Sequence, residues 1–107
     1  MKLILAIVSN EDSSKVSSSL TKARFSVTKL ATTGGFLMSG NTTFLIGVAD
    51  EKVDEVIRII GEHSKKRTQM VPSSASYGVG MYSSYPIEVT IGGATIFVVD
   101  VERFEKL

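Results

Sequence analysis

At 107 residues the chain has the length of one compact domain and is too short for two. Hydrophobic residues make up 43% of it and charged residues 21%, which excludes wholesale disorder. Twelve Lys and Arg against eleven Asp and Glu leave a formal charge of +1, without the clustered cationic excess that a nucleic-acid polymer demands. The absence of cysteine rules out a disulfide framework and any Cys-ligated zinc or iron–sulfur site, and a single histidine, His63, rules out a multi-histidine metal site within one chain. The apolar run at residues 3–8 is far shorter than the ~20 residues that cross a bilayer, and its flanks do not make a signal peptide. A single cytoplasmic domain is expected, with oligomerisation as an added source of stability for so small a core.

In chain order, residues 2–8 read as a central strand because they are nearly continuous in Leu, Ile, Ala and Val. Ser9, Asn10, Glu11 and Asp12 supply a short polar cap and acids for a helix start. Val16, Leu20 and Ala23 then form a narrow apolar stripe, predicting helix one over residues 11–23. Its run of three serines has weak helix propensity, so packing must hold it. Residues 25–33 are rich in β-branched side chains and read as strand two. Glycines at 34, 35 and 40 mark residues 34–41 as a loop, and residues 42–48 form strand three.

The second helix begins near Asp50, and its Val53, Val56, Ile57 and Ile60 make the clearest helical face in the chain. Lys65, Lys66 and Arg67 are read at its C-terminal end, where cations suit the dipole. Residues 67–71 are a short strand, and residues 72–85 a long loop that holds all three tyrosines. Residues 87–91, a Gly92-Gly93 turn and residues 94–99 carry a hairpin signal. Val101, Phe104 and Leu107, three apart, suggest a last helical turn. The order βαββαβ predicts an α+β, ferredoxin-like sandwich: one antiparallel sheet, two helices on one face and extra C-terminal hairpin strands.

Catalytic chemistry finds no support. His63 has no nucleophile or proton donor near it in sequence and reads as an exposed helix-end residue. Glu51, Asp54, Glu55 and Glu62 fall on the polar side of helix two, and no serine stands in a G-x-S-x-G setting. The glycines lack the spacing of a nucleotide-hydrolysing phosphate loop. The chain is therefore read as non-enzymatic, without cofactor or metal. The segment at residues 28–37, TKLATTGGFL, differs. Its glycines expose backbone amides, its threonines add hydroxyls, and Phe36 offers an aromatic face, a combination suited to a purine nucleotide as well as to a plain loop with a buried ring.

TKLATTGGFL, followed by GNTTF, KKRTQMV and GGATIFVV, resembles the PII-like cyclic-di-AMP receptor family, and the similarity runs from KLILAIV to the VERFEKL tail. The resemblance implies a PII-like domain over residues 1–107 that assembles as a homotrimer, binds cyclic di-AMP in clefts between subunits, and signals to a downstream protein. It implies no nucleic-acid polymer and no membrane as partner. Carried over by position, the ligand shell comprises Thr28, Gly35, Phe36, Leu37, Asn41 and Gly47. Phe36 is expected to pack on adenine, an interaction worth ~1–3 kcal/mol per base in single-strand binders. Gly92 and Gly93 complete the cleft or serve as a plain hairpin turn.

Two departures stand out. Family members have Asn where this chain has Arg24, and a ligand-contacting Arg where it has Ser26. If residues 24, 26 and 28 share one strand face, Arg24 stands ~6.6 Å from the missing arginine and is expected to replace it. Residues 72–85 also depart from the family's Met-Gly-Gly-Asn-Ala-Asp-like stretch, reading PSSASYGVGMYSSYP from residue 72 to 86. The leading expectation is a receptor that transmits occupancy through residues 34–41 and 72–85. The alternative, favoured by Ser26, is a PII-like interaction module that binds cyclic di-AMP weakly or not at all, or takes another adenine nucleotide.

Overall fold

A computed structural model describes residues 1–33, 40–72 and 86–107. Strand β1 (Lys2–Ser9) pairs antiparallel with β3 (Asn41–Val48) on one side and β6 (Ala94–Asp100) on the other. Strand β2 (Val27–Thr33) pairs with β3 outside it, with a register shift between Lys29 and Ala31. The four-stranded order β2-β3-β1-β6 is that of a ferredoxin-like α+β sandwich. Helices α1 (Asn10–Lys22) and α2 (Val53–His63), the latter preceded by a 3₁₀ turn at Asp50–Lys52, cover one face.

The core follows from strand alternation. Ile4, Ala6 and Val8 of β1 and Phe44, Ile46 and Val48 of β3 point towards the helices. Val16 and Leu20 of α1 and Val56, Ile59 and Ile60 of α2 close over them. The serine-rich α1 is held by that packing and by its ends. The Ser9 hydroxyl accepts from the Glu11 amide, and Glu11 and Asp12 face the positive helix end. The helix start is also tied to β3: the Asn10 amide donates to the Gly40 carbonyl at 3.0 Å, and the buried Thr42 hydroxyl donates to Asn10 Oδ1 at 2.6 Å.

Four expectations are corrected. Strand two begins at Val27 rather than residue 25, because the amides of Ala23, Arg24 and Phe25 turn back to carbonyls of α1. Arg24 there takes a left-handed φ of 71°, so residues 24, 26 and 28 do not alternate along one strand and the alignment expected for Arg24 is absent. Gly92 and Gly93 are not a hairpin turn. Strand β5 (Pro86–Ile91) pairs with β4 (Arg67–Pro72) in a separate two-stranded sheet, and the two glycines carry the chain from it to β6. The extra hairpin thus exists as an arm inserted between α2 and β6. Finally, residues 101–107 contain no helical turn; the Val101 amide donates to the Met1 carbonyl at 3.2 Å and lays the tail across the start of β1.

The Lys2 ammonium, paired across β1 and β6 with Asp100, has its pKa raised above 10.5, chiefly by its hydrogen bond to that carboxylate. A raised amine contributes stability below its unfolded pKa and loses it as pH rises through the folded one. The pair is exposed, so the contribution is small and screened by salt. Lys2→Met is expected to lower the melting midpoint by a small, constant amount between pH 7 and 9, and the gap is expected to close above pH 10.5, read by thermal unfolding at each pH.

Candidate functional site

The sheet face away from the helices is open. It carries Leu3, Leu5 and Ile7 of β1, Thr43, Leu45 and Gly47 of β3, Thr28 of β2, and Phe97 and Val99 of β6. Phe97 is 54% exposed and Val99 44%. A contiguous apolar face of this kind marks an interaction surface.

Two hollows lie at opposite ends of that face. The first, about 560 Å³, is lined by Leu3, Ser26, Thr28, Leu45 and Gly47, with Met1 and the tail residues Val101, Phe104, Glu105 and Lys106. Its volume is in the range of small-molecule sites. Gly47, without a side chain, leaves the strand backbone uncovered at this hollow. The tail's contribution was not foreseen: Phe104, 62% exposed, adds an aromatic ring to this hollow. The signal available was a lone aromatic in a charged tail, and a helical reading of its spacing obscured it.

The second hollow, about 300 Å³, is lined by Ile7, Asn41, Lys66, Gly92, Gly93, Ala94 and Thr95. It brings together Asn41 and Gly93, which are 52 positions apart in the numbering of the chain. Asn41 and Gly47 stand six residues apart on β3, ~20 Å at the rise of an extended strand. The expected site residues therefore divide between two places. Arg24 lines neither, and Gly35, Phe36 and Leu37 lie outside the described residues.

The base of the arm is pinned beside the second hollow. The Arg67 guanidinium donates to both carboxylate oxygens of the buried Asp12, at 3.0 and 3.3 Å, and to the Lys65 carbonyl at 3.1 Å. Its Nη2 also lies 3.6 Å from Glu11. The hydrogen bond to Asp12 raises the Arg67 pKa further, so the guanidinium keeps its charge at any ordinary pH. The Gly93 amide donates to the Ser64 carbonyl. The basic triplet is therefore not a helix end: α2 stops at His63, and Arg67 begins β4. His63 is half-buried rather than exposed, its Nε2 2.9 Å from the Ser19 hydroxyl, which ties α2 to α1.

Among the described residues, no group of three or more His, Cys, Asp or Glu is placed to hold a metal ion. No helix there is long and apolar enough to cross a membrane. A family model described as "Cyclic-di-AMP receptor" matches residues 1–107. Among solved structures the chain is similar to the crystal structure of a functionally unknown protein from Pediococcus pentosaceus ATCC 25745. The identity is 40% over 99% of this chain and 96% of that one, with a TM-score of 0.74.

Proposed function

Because the chain belongs to the family of cyclic-di-AMP receptors, we propose that it is a cytoplasmic, non-enzymatic signal receptor. Its single PII-like domain, residues 1–107, binds cyclic di-AMP in clefts between the subunits of a homotrimer. Occupancy is passed through residues 34–41 and 72–85 to a downstream protein. The observation that carries this reading is the division of the expected ligand residues between two hollows on one open apolar face. A cleft that uses both arises when the Thr28–Gly47 end of one copy meets the Asn41–Gly93 end of the next. Such head-to-tail contacts close into rings when the rotation between copies permits. The same assembly covers Phe97, Val99 and their neighbours, removing apolar surface from water at roughly 25 cal/mol per Å².

Within such a cleft the roles follow from chemistry. Phe36 stacks on an adenine, while Gly35 and Leu37 offer backbone hydrogen bonds. Thr28 and Asn41 contact phosphate or a base edge, and Gly47 and Gly93 let the ligand approach the backbone. Phe104, at the first hollow, gives a second apolar surface for a base.

Titration with cyclic di-AMP by calorimetry, with ATP and cyclic di-GMP as controls, tests the reading together with a light-scattering mass. The expected result is one cyclic di-AMP per chain at micromolar affinity or better, no comparable heat from the controls, and a particle of three chains. A trimer that gives no heat and no thermal shift would make the chain a PII-like interaction module, as the Ser26 departure favours. Tight binding of ATP alone would reassign the ligand.

A further inference from the structure

The triplet Lys65-Lys66-Arg67 is divided by the fold into two opposite duties. Lys65 and Arg67 line the hollow formed with Glu11, Asp12 and Glu62, where Arg67 is fully engaged by Asp12 and the Lys65 carbonyl. Lys66, between them, lines the other hollow with Asn41 and Gly93. Lys66 thus lines a different hollow from its two neighbours in the chain. Among the described residues Lys66 has no ion pair, and it is the one cationic residue lining the Asn41–Gly93 hollow.

Its base is held in place. Ser64, two residues before it, is buried, its hydroxyl donates to the Ile60 carbonyl at the end of α2, and its own carbonyl accepts the Gly93 amide. A side chain begun at Gly93 would meet Lys66 Cβ at 3.9 Å, so the lysine stem runs alongside that glycine. Arg67, clamped to Asp12, fixes the following residue.

We infer that Lys66 is a ligand-contacting residue, supplying to a phosphodiester of the bound cyclic dinucleotide the positive charge that Ser26 cannot. The inference rests on the cyclic-di-AMP reading above, and it displaces Arg24, whose left-handed turn lies outside both hollows. A doubly anionic ligand needs a cation somewhere in its shell, and a charged hydrogen bond is the strong kind. A lysine does this as a point charge, without the bidentate fork of an arginine.

The test is calorimetric titration of the full chain with cyclic di-AMP at 50 and 200 mM salt, for the parent, Lys66→Met, Lys66→Arg, Lys65→Met and Arg24→Ala. Thermal unfolding confirms that each variant is folded. Lys66→Met is expected to weaken binding about ten- to a hundred-fold and to flatten its salt dependence. Lys66→Arg is expected to stay within a few-fold of the parent, and Lys65→Met and Arg24→Ala within two-fold. A Lys66→Met variant within two-fold of a binding parent at both salts would overturn the assignment, as would equal losses from Lys65→Met. A parent that gives no heat would instead bring down the receptor reading, and the assignment with it.

Discussion

Gly47→Val is expected to leave the fold standing and weaken cyclic-di-AMP binding at least about a hundred-fold, or ~2.7 kcal/mol. Position 47 lies in β3, where a β-branched residue suits the backbone, and its φ is not in the left-handed region. A Cβ there would meet only Met1 Cε, at 3.3 Å, the far end of a flexible side chain that can swing aside. The added methyls therefore enter the first hollow rather than the core, occupying space beside Thr28 and Leu45 that the ligand would use. Calorimetry gives the affinity, while thermal unfolding and light scattering report on fold and assembly. An unchanged affinity would move the ligand away from this end of the sheet. A lost assembly would show that residue 47 acts on the subunit contact instead.

Gly92→Ala is expected to be strongly destabilising, with Gly93→Ala much milder. Both glycines have left-handed backbones, φ 85° and 80°, so any side chain brings strain of about 1–2 kcal/mol. Their surroundings differ. A Cβ at Gly92 would lie 2.2 Å from the Lys65 carbonyl oxygen and 2.8 Å from Arg67 Nη1. Neither can yield cheaply, because that carbonyl accepts from Arg67 and the guanidinium is held by Asp12. At Gly93 the nearest atom is Lys66 Cβ at 3.9 Å, an ordinary contact. Gly92→Ala should therefore cost a further ~2 kcal/mol or more, an additional drop in melting midpoint of roughly 8 °C or more for a domain of this size. Equal midpoints for the two variants would show that the arm junction rearranges freely.

The elements themselves were legible because each rests on local signals. The apolar period of α2, the unbroken run of β1 and the cap at Ser9 all depend on residues close in the chain. Boundaries failed where a contact from elsewhere overrode local preference. Phe25 suits a strand, yet its amide is taken by Leu20, and the chain enters β2 only at Val27. The two glycines suited a hairpin turn, but β5 found its partner in β4 and β6 found its partner in β1. Which strand a segment pairs with depends on residues far away in sequence, and a local turn signal does not contain that information.

The sequence by itself determined the fold class and, through TKLATTGGFL and its accompanying motifs, the family. Both are written in residue types at fixed spacing. Only the tertiary structure decided where the candidate residues meet. It put Thr28 and Gly47 at one end of an open sheet face and Asn41 and Gly93 at the other, added Phe104 from the tail to the first, and turned Arg24 away from both. It also separated three adjacent cations, committing Arg67 to the buried Asp12 and leaving Lys66 facing the Asn41–Gly93 hollow. The physical reason is the same in each case: a side chain's direction is set by the backbone conformation and pairing of its own residue. Those are settled by long-range strand register and packing.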